Sequence, residues 1–91
     1  MKNGAELISN ERIRQIDQEG YSTSHDKEHH VNEFVLAALA YLDCNFKGTK
    51  PLDYWPWEEN AFKPKDYKNN LVRAGALIAA AIDRLQIDEV E

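Results

Sequence analysis

The chain is poor in the features that mark secreted or membrane proteins. It has a single cysteine, Cys44, which cannot form a disulfide within the chain and therefore suits a reducing cytosol. No apolar run reaches the ~18 residues that a membrane span needs, and no charged-then-apolar segment typical of a secretory signal opens the chain. The sequence therefore predicts a cytoplasmic protein that does not enter a membrane.

Positive charge is also in short supply, since 11 lysines and arginines stand against 16 aspartates and glutamates, for a formal net charge of −5. Proteins that wrap nucleic acid neutralise many phosphates with lysine and arginine, so the composition argues against extended nucleic acid as a partner. The charge is uneven, however: residues 47–73 contain six basic residues and four acidic ones. Such a local excess suits a small anion, although an ordinary solvated surface gives the same count.

At 91 residues the chain is predicted to form one domain, 1–91, with a thin core. Hydrophobic periodicity predicts three helices, which run from Ala5 to Asp17, from Thr23 or Ser24 to Asp43, and from just after Pro64 to about Gln86. From Phe34 onward the second helix is apolar all round, which in a soluble protein means burial on more than one side. We therefore expect an all-α domain assembled as a homo-oligomer.

The third helix carries the clearest apolar stripe in the sequence. Its members are Tyr67, Leu71, Ala74, Gly75, Ile78, Ala81, Ile82 and Leu85. A glycine in mid-helix costs about 1 kcal/mol relative to alanine, so Gly75 predicts a close approach by the backbone of a neighbouring helix.

The connection over residues 54–67 holds both tryptophans, five of the nine aromatic residues and two of the three prolines. Two prolines exclude one continuous helix, so we predict an ordered loop. Its rings and lysines could stack on a flat ligand and neutralise phosphate, or the rings could fold inward and seal a small core. The residues that would bind in the first alternative are Tyr54, Trp55, Trp57, Lys63 and Lys65.

A polar stripe formed by His25, Asp26, His29 and Glu33 falls on one face of the predicted second helix. Imidazole and carboxylate groups one turn apart can share a metal ion. The same residues could line a metal-free polar pocket, or could pair with one another and with the arginines of the first helix. Because no second cluster of ligands stands on another helix, we predict neither a metal nor a cofactor.

Three arginines are candidates for binding an anion. Arg12 falls on the inner face of the first helix, where its guanidinium could lie at the base of a pocket or could pair with an acid such as Glu19. Arg14 lies two residues further on, and Arg73 lies on the side of the third helix opposite the apolar stripe. A solvated surface position is the ordinary alternative for Arg73.

Short motifs follow one another along the chain: ERIRQI at 11–16 with EG at 19–20, HDKEH at 25–29, WPW at 55–57, KPK at 63–65 and LVRAGALI at 71–78. In this order they resemble a group of small phage and prophage proteins with the pattern E-R-x-R-Q-I-x-x-E-G, H-D-x-x-H, W-P-W, K-P-K and L-V-[KR]-A-[AG]-A-L-I. The resemblance covers nearly the whole chain and implies a viral origin and an all-helical fold. Members often carry longer insertions between the second and third helices.

A weaker resemblance is to the MazG-type all-α nucleotide pyrophosphohydrolases, which hold magnesium with E-x-x-E on one helix and E-x-x-D on another. The segments 26–29 and 30–33 are imperfect substitutes for the first motif. The third helix offers Asn69, Asn70 and Asp83, so the second motif is missing. Magnesium requires several carboxylate or phosphate oxygens, and this set contains few.

Three functional classes follow from these patterns. The favoured one is a phage-encoded protein that sequesters a nucleotide-derived immune signal, such as a cyclic nucleotide or an NAD-derived molecule, in the cytoplasm of its bacterial host. The alternatives are a metal-dependent nucleotide pyrophosphohydrolase with an altered site and a module that docks on a host protein. In the favoured class the ligand contacts are Arg12, Arg14, His25, Asp26, His29, Glu33, Tyr54, Trp55, Trp57, Lys63, Lys65 and Arg73.

Overall fold

The computed structural model describes residues 1–19, 30–47 and 55–90, and every regular element in this part of the chain is helical. The elements are helix α1 (Gly4–Arg14), a π-helical turn (Gln15–Glu19), helix α2 (Val31–Lys47), a 3-10 turn (Glu59–Ala61) and helix α3 (Tyr67–Val90). The prediction of an all-α, three-helix domain is confirmed. Among the described residues, no helix combines the length and the hydropathy that a membrane crossing requires.

Both of the first two helices begin at a capping residue. At α1 the Asn3 Oδ1 accepts a hydrogen bond from the Glu6 amide at 2.9 Å. At α2 the His30 amide donates to Glu33 Oε2 at 3.0 Å, and the Asn32 amide donates to His30 Nδ1 at 3.1 Å. This reciprocal arrangement is a capping box with histidine in the place of serine or threonine.

The cap corrects the predicted start of the second helix. Thr23 and Ser24 lie outside the described residues, but His30 is not helical and α2 begins at Val31. A continuous helix over 23–43 is therefore wrong at His30, while His25, Asp26 and His29 of the predicted polar stripe lie outside the described residues. The physical reason is that His30 and Glu33 satisfy the free amides that mark a helix end.

Helix α3 packs against both α2 and α1. The C-terminal end of α2 lies beside the N-terminal end of α3, because Asn45 Nδ2 donates to the Tyr67 carbonyl and Asn70 Nδ2 donates to Asn45 Oδ1. These two helices are thus antiparallel. Helix α1 packs against α3, and its Ile8 side chain fills the space above Gly75, where an added Cβ would lie 2.6 Å from Ile8 Cδ1. The predicted close approach at Gly75 comes from this side chain.

The core lies between α2 and α3 and is completed by two rings of the aromatic connection. Its buried members are Phe34, Ala37, Ala38, Ala40, Tyr41, Trp55, Phe62, Ala74, Leu77, Ala80 and Ala81. Of the apolar stripe predicted for α3, Ala74 and Ala81 are buried, whereas the five large side chains are exposed: Tyr67, Leu71, Ile78, Ile82 and Leu85. The predicted stripe is therefore wrong for its large residues, which do not face the core. The reason is that α3 contacts α2 through small side chains and Leu77.

Candidate functional site

The ring of Trp55 is part of the core and 8% exposed. Its Nε1 donates to the Glu58 carbonyl at 2.9 Å, which satisfies the polar end of the indole. The ring meets Tyr41 and Trp57 edge to face, with centroids 5.7 and 5.4 Å away, and lies 4.7 Å from the Phe62 centroid. Its faces are occupied by protein, so stacking on a ligand would require the ring to leave the core.

Trp57 is half-buried and faces the start of α2. Its Nε1 donates to Glu33 Oε1 at 2.8 Å, and its ring packs edge to face on Phe34 at 5.7 Å. Trp57 and Lys63 border a broad, open hollow of about 770 Å³, which also includes Gln18, Glu19, Pro56, Glu58, Glu59, Asn60 and Ala61. The described lining of this hollow has three glutamates and one lysine, so it repels phosphate.

Lys63 and Arg12 are both paired with carboxylates. Lys63 Nζ lies 3.0 Å from Glu19 Oε1, and the Lys63 amide donates to the Tyr41 hydroxyl at 3.1 Å. The Arg12 side chain is 11% exposed and points inward, with Nη2 at 3.2 Å from Asp83 Oδ2. The expected partnership of Arg12 with Glu19 is corrected, because Arg12 faces α3 and Glu19 instead pairs with Lys63.

Three of the predicted basic residues come together where the end of α1 meets the start of α3. Arg14, Lys65 and Arg73 line a hollow of about 240 Å³ with Glu11, Asn69 and Val72, and we call this hollow the basic depression. Arg14 comes from α1, Lys65 from the connection and Arg73 from α3. The described lining therefore has three cations and one carboxylate, which give it a net charge of +2.

The buried side chain of Asn70 holds Lys65 at the basic depression. Its Oδ1 accepts from the Lys65 amide at 2.6 Å, and its Nδ2 donates to the Lys65 carbonyl at 2.9 Å. Both polar ends of the Asn70 amide thus bond to the main chain of one residue. This pair of bonds fixes the chain before α3 and leaves the Lys65 side chain exposed.

Glu11 and Arg14 form a bidentate pair on one side of the basic depression. Arg14 Nε and Nη2 donate to the two Glu11 oxygens, each at 2.8 Å. Burial acts to raise the pKa of Glu11, but hydrogen bonds from Arg14 and Gln15 and the charges of Arg14 and Arg73 outweigh it, so the pKa is lowered. The hydrogen bond to Glu11 raises the pKa of Arg14. Both groups are therefore charged at neutral pH.

Arg73 reaches the basic depression from above the Tyr41 ring, with its guanidinium carbon 5.9 Å from the ring centroid. This distance is within the range of a cation–π contact. The Arg73 carbonyl accepts from Gln15 Nε2 at 3.5 Å, which links the π-helical turn to α3. Gln15 is 2% exposed, and its Oε1 finds no hydrogen-bond donor among the described residues. A π-helical turn, a feature frequent at functional sites, thus lies beside the basic depression.

The predicted residues fall into four groups. Arg14, Lys65 and Arg73 meet in the basic depression, and Trp57 and Lys63 border the acidic hollow. Arg12, Glu33 and Trp55 each bond within the fold. His25, Asp26, His29 and Tyr54 lie outside the described residues. In the described ranges, no three His, Cys, Asp or Glu side chains lie close enough to hold a metal ion.

Glu11, Gln15 and Asn69 also lie at or beside the basic depression but were not predicted to do so from the sequence. Glu11 stands three residues before Arg14 and four before Gln15, the spacing at which helical side chains meet, so this pairing was visible in the sequence. The position of Asn69 beside Lys65 depends on the path of the chain just before α3. Hydrophobic periodicity does not predict that path.

No family model, curated protein or solved structure matches the chain. The similarity to phage proteins therefore stays a prediction.

Proposed function

We propose that this protein binds a small, phosphate-bearing, nucleotide-like ligand at the basic depression and sequesters it without converting it. The observation that supports this proposal is the convergence of Arg14, Lys65 and Arg73, which come from three separate segments and share one hollow with a single carboxylate among its described lining residues. Guanidinium and ammonium groups are the usual protein donors to phosphate.

The size of the hollow restricts which part of the ligand it holds. Pockets that enclose a whole small molecule measure about 300–1,000 Å³, and the basic depression measures about 240 Å³. It therefore suits a phosphate or a pyrophosphate group, while the nucleoside would rest on the neighbouring surface. Support for ring stacking is confined to Trp57, which is half-buried and borders a separate, acidic hollow.

The three cations contribute differently to binding. Arg14 is held in place by Glu11, which fixes its orientation before a ligand arrives but also competes for its donors. Lys65 is exposed, and Arg73 lies over Tyr41, so these two side chains are the main donors in the proposal. The remaining polar lining is the Asn69 amide, which can donate to a phosphate oxygen.

The similarity to phage proteins suggests the biological setting of this proposal. A virus that removes a nucleotide-derived immune signal from the cytoplasm of its host requires tight binding rather than turnover. The lining of the basic depression agrees with this requirement, since its carboxylate is engaged by Arg14 and is not available as a base.

Mass spectrometry of small molecules released from the purified, denatured protein tests the proposal. We expect a phosphate-bearing molecule of unaltered structure to be released from protein expressed in infected or lysogenic cells. A Lys65→Met, Arg73→Met double variant should release far less, whereas Lys68→Met removes an exposed lysine outside the basic depression and should match the wild type. Equal release from all three proteins would show that the basic depression does not bind the ligand.

A second candidate function, docking on a host protein, is favoured by the large apolar side chains exposed on α2 and α3. It makes no use of the basic depression.

A further inference from the structure

Large apolar side chains are exposed along both α2 and α3. They are Val35, Leu39 and Phe46 on α2 and Leu71, Ile78, Ile82 and Leu85 on α3, and we call this set the apolar face. Each exposes at least two-fifths of its surface. Single exposed apolar residues are ordinary, but an extended apolar patch on a soluble domain marks an interaction site.

The two halves of the apolar face lie on the same side of the molecule. Viewed along each helix from its N-terminus, the exposed set lies between about a quarter and a third of a turn clockwise from the buried stripe that faces the other helix. Because α2 and α3 are antiparallel, rotations in the same direction from the facing stripes place both exposed sets on the same side of the helix pair. The aromatic connection covers the other side, through Trp57 on Phe34 and the Lys63 amide on Tyr41.

The spacing along each helix is that of a coiled-coil seam. On α2, the positions 35, 39, 42 and 46 are separated by four, three and four residues, and all are apolar. On α3, the exposed positions 71, 78, 82 and 85 are separated by seven, four and three residues and all are apolar, while Gly75, between 71 and 78, is covered by Ile8 of α1. Apolar residues spaced alternately three and four apart form one face of a helix, and the side chains of another helix can pack between them as in a coiled coil. The partner of this surface is therefore helical.

We propose that the apolar face binds a second copy of this chain, so that the α2–α3 pairs of two copies form a four-helix arrangement around a two-fold axis. One chain presents two adjacent seams, and a two-fold axis places each against an equivalent seam of the other copy. Each copy exposes about half of seven large side chains, so pairing would bury on the order of 1,300 Å² in total, which is within the range of stable dimers.

A hollow beside the apolar face gives the proposed dimer an anchoring point. Leu71 also lines an apolar hollow of about 380 Å³ between the N-terminal ends of α1 and α3, together with Leu7 and Ile8. Phe46 is 82% exposed and is the most prominent side chain of the face. Aromatic side chains that enter such hollows dominate the energetics of many interfaces, which makes Phe46 the first residue to test.

The chemistry of the face favours protein over lipid. Helices that lie on membranes flank their apolar face with lysine and arginine, which contact anionic lipid headgroups. Between Val35 and Phe46, α2 contains no lysine or arginine, and the residues that flank its exposed stripe include Asn32 and Asp43. Lys2 and Lys68 lie only at the hollow at one end of the face and do not flank its length. A chain of 91 residues also has a thin core, so pairing supplies buried area that the monomer lacks.

Sedimentation velocity of the full chain at micromolar concentration tests this proposal. The wild type should sediment at twice the 10.5 kDa mass of one chain, and the single variants Phe46→Glu and Ile82→Glu should sediment as folded monomers. Ile13→Glu is the matched control, since Ile13 is equally exposed but points away from α3, and it should remain dimeric. Circular dichroism of each variant confirms that the helices persist.

Two outcomes would overturn the proposal. One is a wild-type chain that is folded and monomeric across the micromolar range, which would leave the apolar face to a different protein. The other is a dimer that persists unchanged in both Phe46→Glu and Ile82→Glu, which would place the contact between copies elsewhere on the molecule.

Discussion

The indole N–H of Trp57 donates a hydrogen bond to Glu33 Oε1 at 2.8 Å, while Glu33 Oε2 accepts from the His30 amide at 3.0 Å. One carboxylate thus joins the aromatic connection to the first turn of α2. The two bonds use both carboxylate oxygens of Glu33. From the sequence, this side chain was predicted to lie in a polar stripe with His25 and His29. Glu33 therefore has a clear structural role in the described part of the chain.

Replacement of Glu33 should destabilise the fold through both bonds. Hydrogen bonds to a charged group contribute about 1.5–3 kcal/mol each, so we expect Glu33→Ala to lower the free energy of unfolding by a few kcal/mol. Glu33→Gln keeps an acceptor for Trp57 and should cost less. Urea unfolding followed by tryptophan fluorescence measures both values. Equal stability of Glu33→Ala and the wild type would show that neither bond matters.

The two tryptophans should differ in their response to truncation. Trp55 is buried against Tyr41 and Phe62, so Trp55→Ala should cost about 3–5 kcal/mol, which is enough to unfold a domain of this size. Trp57 is half-buried, and Trp57→Ala should leave a weakened but measurable melting transition. Thermal unfolding by circular dichroism distinguishes the two. A Trp55→Ala variant that melts as the wild type does would place this ring outside the core.

Gly75 and Ile8 should behave as a coupled pair. An added Cβ at Gly75 would lie 2.6 Å from Ile8 Cδ1, so the crowding in Gly75→Ala offsets the gain of about 1 kcal/mol that alanine gives in a helix. Ile8→Val removes that Cδ1 atom and so relieves the closest contact, although Cγ1 remains 3.0 Å from the added Cβ. In the Ile8→Val background, Gly75→Ala should therefore raise the free energy of unfolding more than it does in the wild type. A double-mutant cycle in urea measures the coupling, and strict additivity would contradict the contact.

Stability should depend on pH through Glu11. Its pKa in the folded state is below the usual value of 4.5, so its contribution is present above that value and is lost as the pH falls through the lowered pKa. Glu11→Gln should be less stable than the wild type at neutral pH, and the difference should shrink as the pH drops below 4.5. Urea unfolding at a series of pH values tests this. A difference that stays constant down to strong acid would rule out the proposed ionic contribution.

The helices were predictable from the sequence because their signals are local. Pro64 and the apolar periods place α1 and α3 to within a few residues of the observed bounds. The start of α2 was not predictable in the same way, because histidine is an unusual cap and His30 reads as part of a helix. The exposed side of α3 was also misjudged, since periodicity cannot tell which apolar residues a neighbouring helix covers.

The basic depression was only partly predictable. Its three cations were named from the sequence, but so were Arg12 and Lys63, which the fold pairs with Asp83 and Glu19. What separates the two groups is the tertiary arrangement, in particular the two hydrogen bonds by which Asn70 fixes the main chain of Lys65. Contacts of that kind depend on packing and leave no pattern in the sequence.

Calorimetric titration of the refolded, ligand-free protein with inorganic pyrophosphate tests the central claim most directly. We expect saturable binding by the wild type and by Lys68→Met, and at least about tenfold weaker binding by Lys65→Met and by Arg73→Met, since each removes a charge-assisted bond of about 1.5–3 kcal/mol. Binding should also weaken as salt is added, because the contacts are ionic. No binding by the wild type, or equal affinity in all four proteins, would contradict the assignment of the basic depression as an anion site.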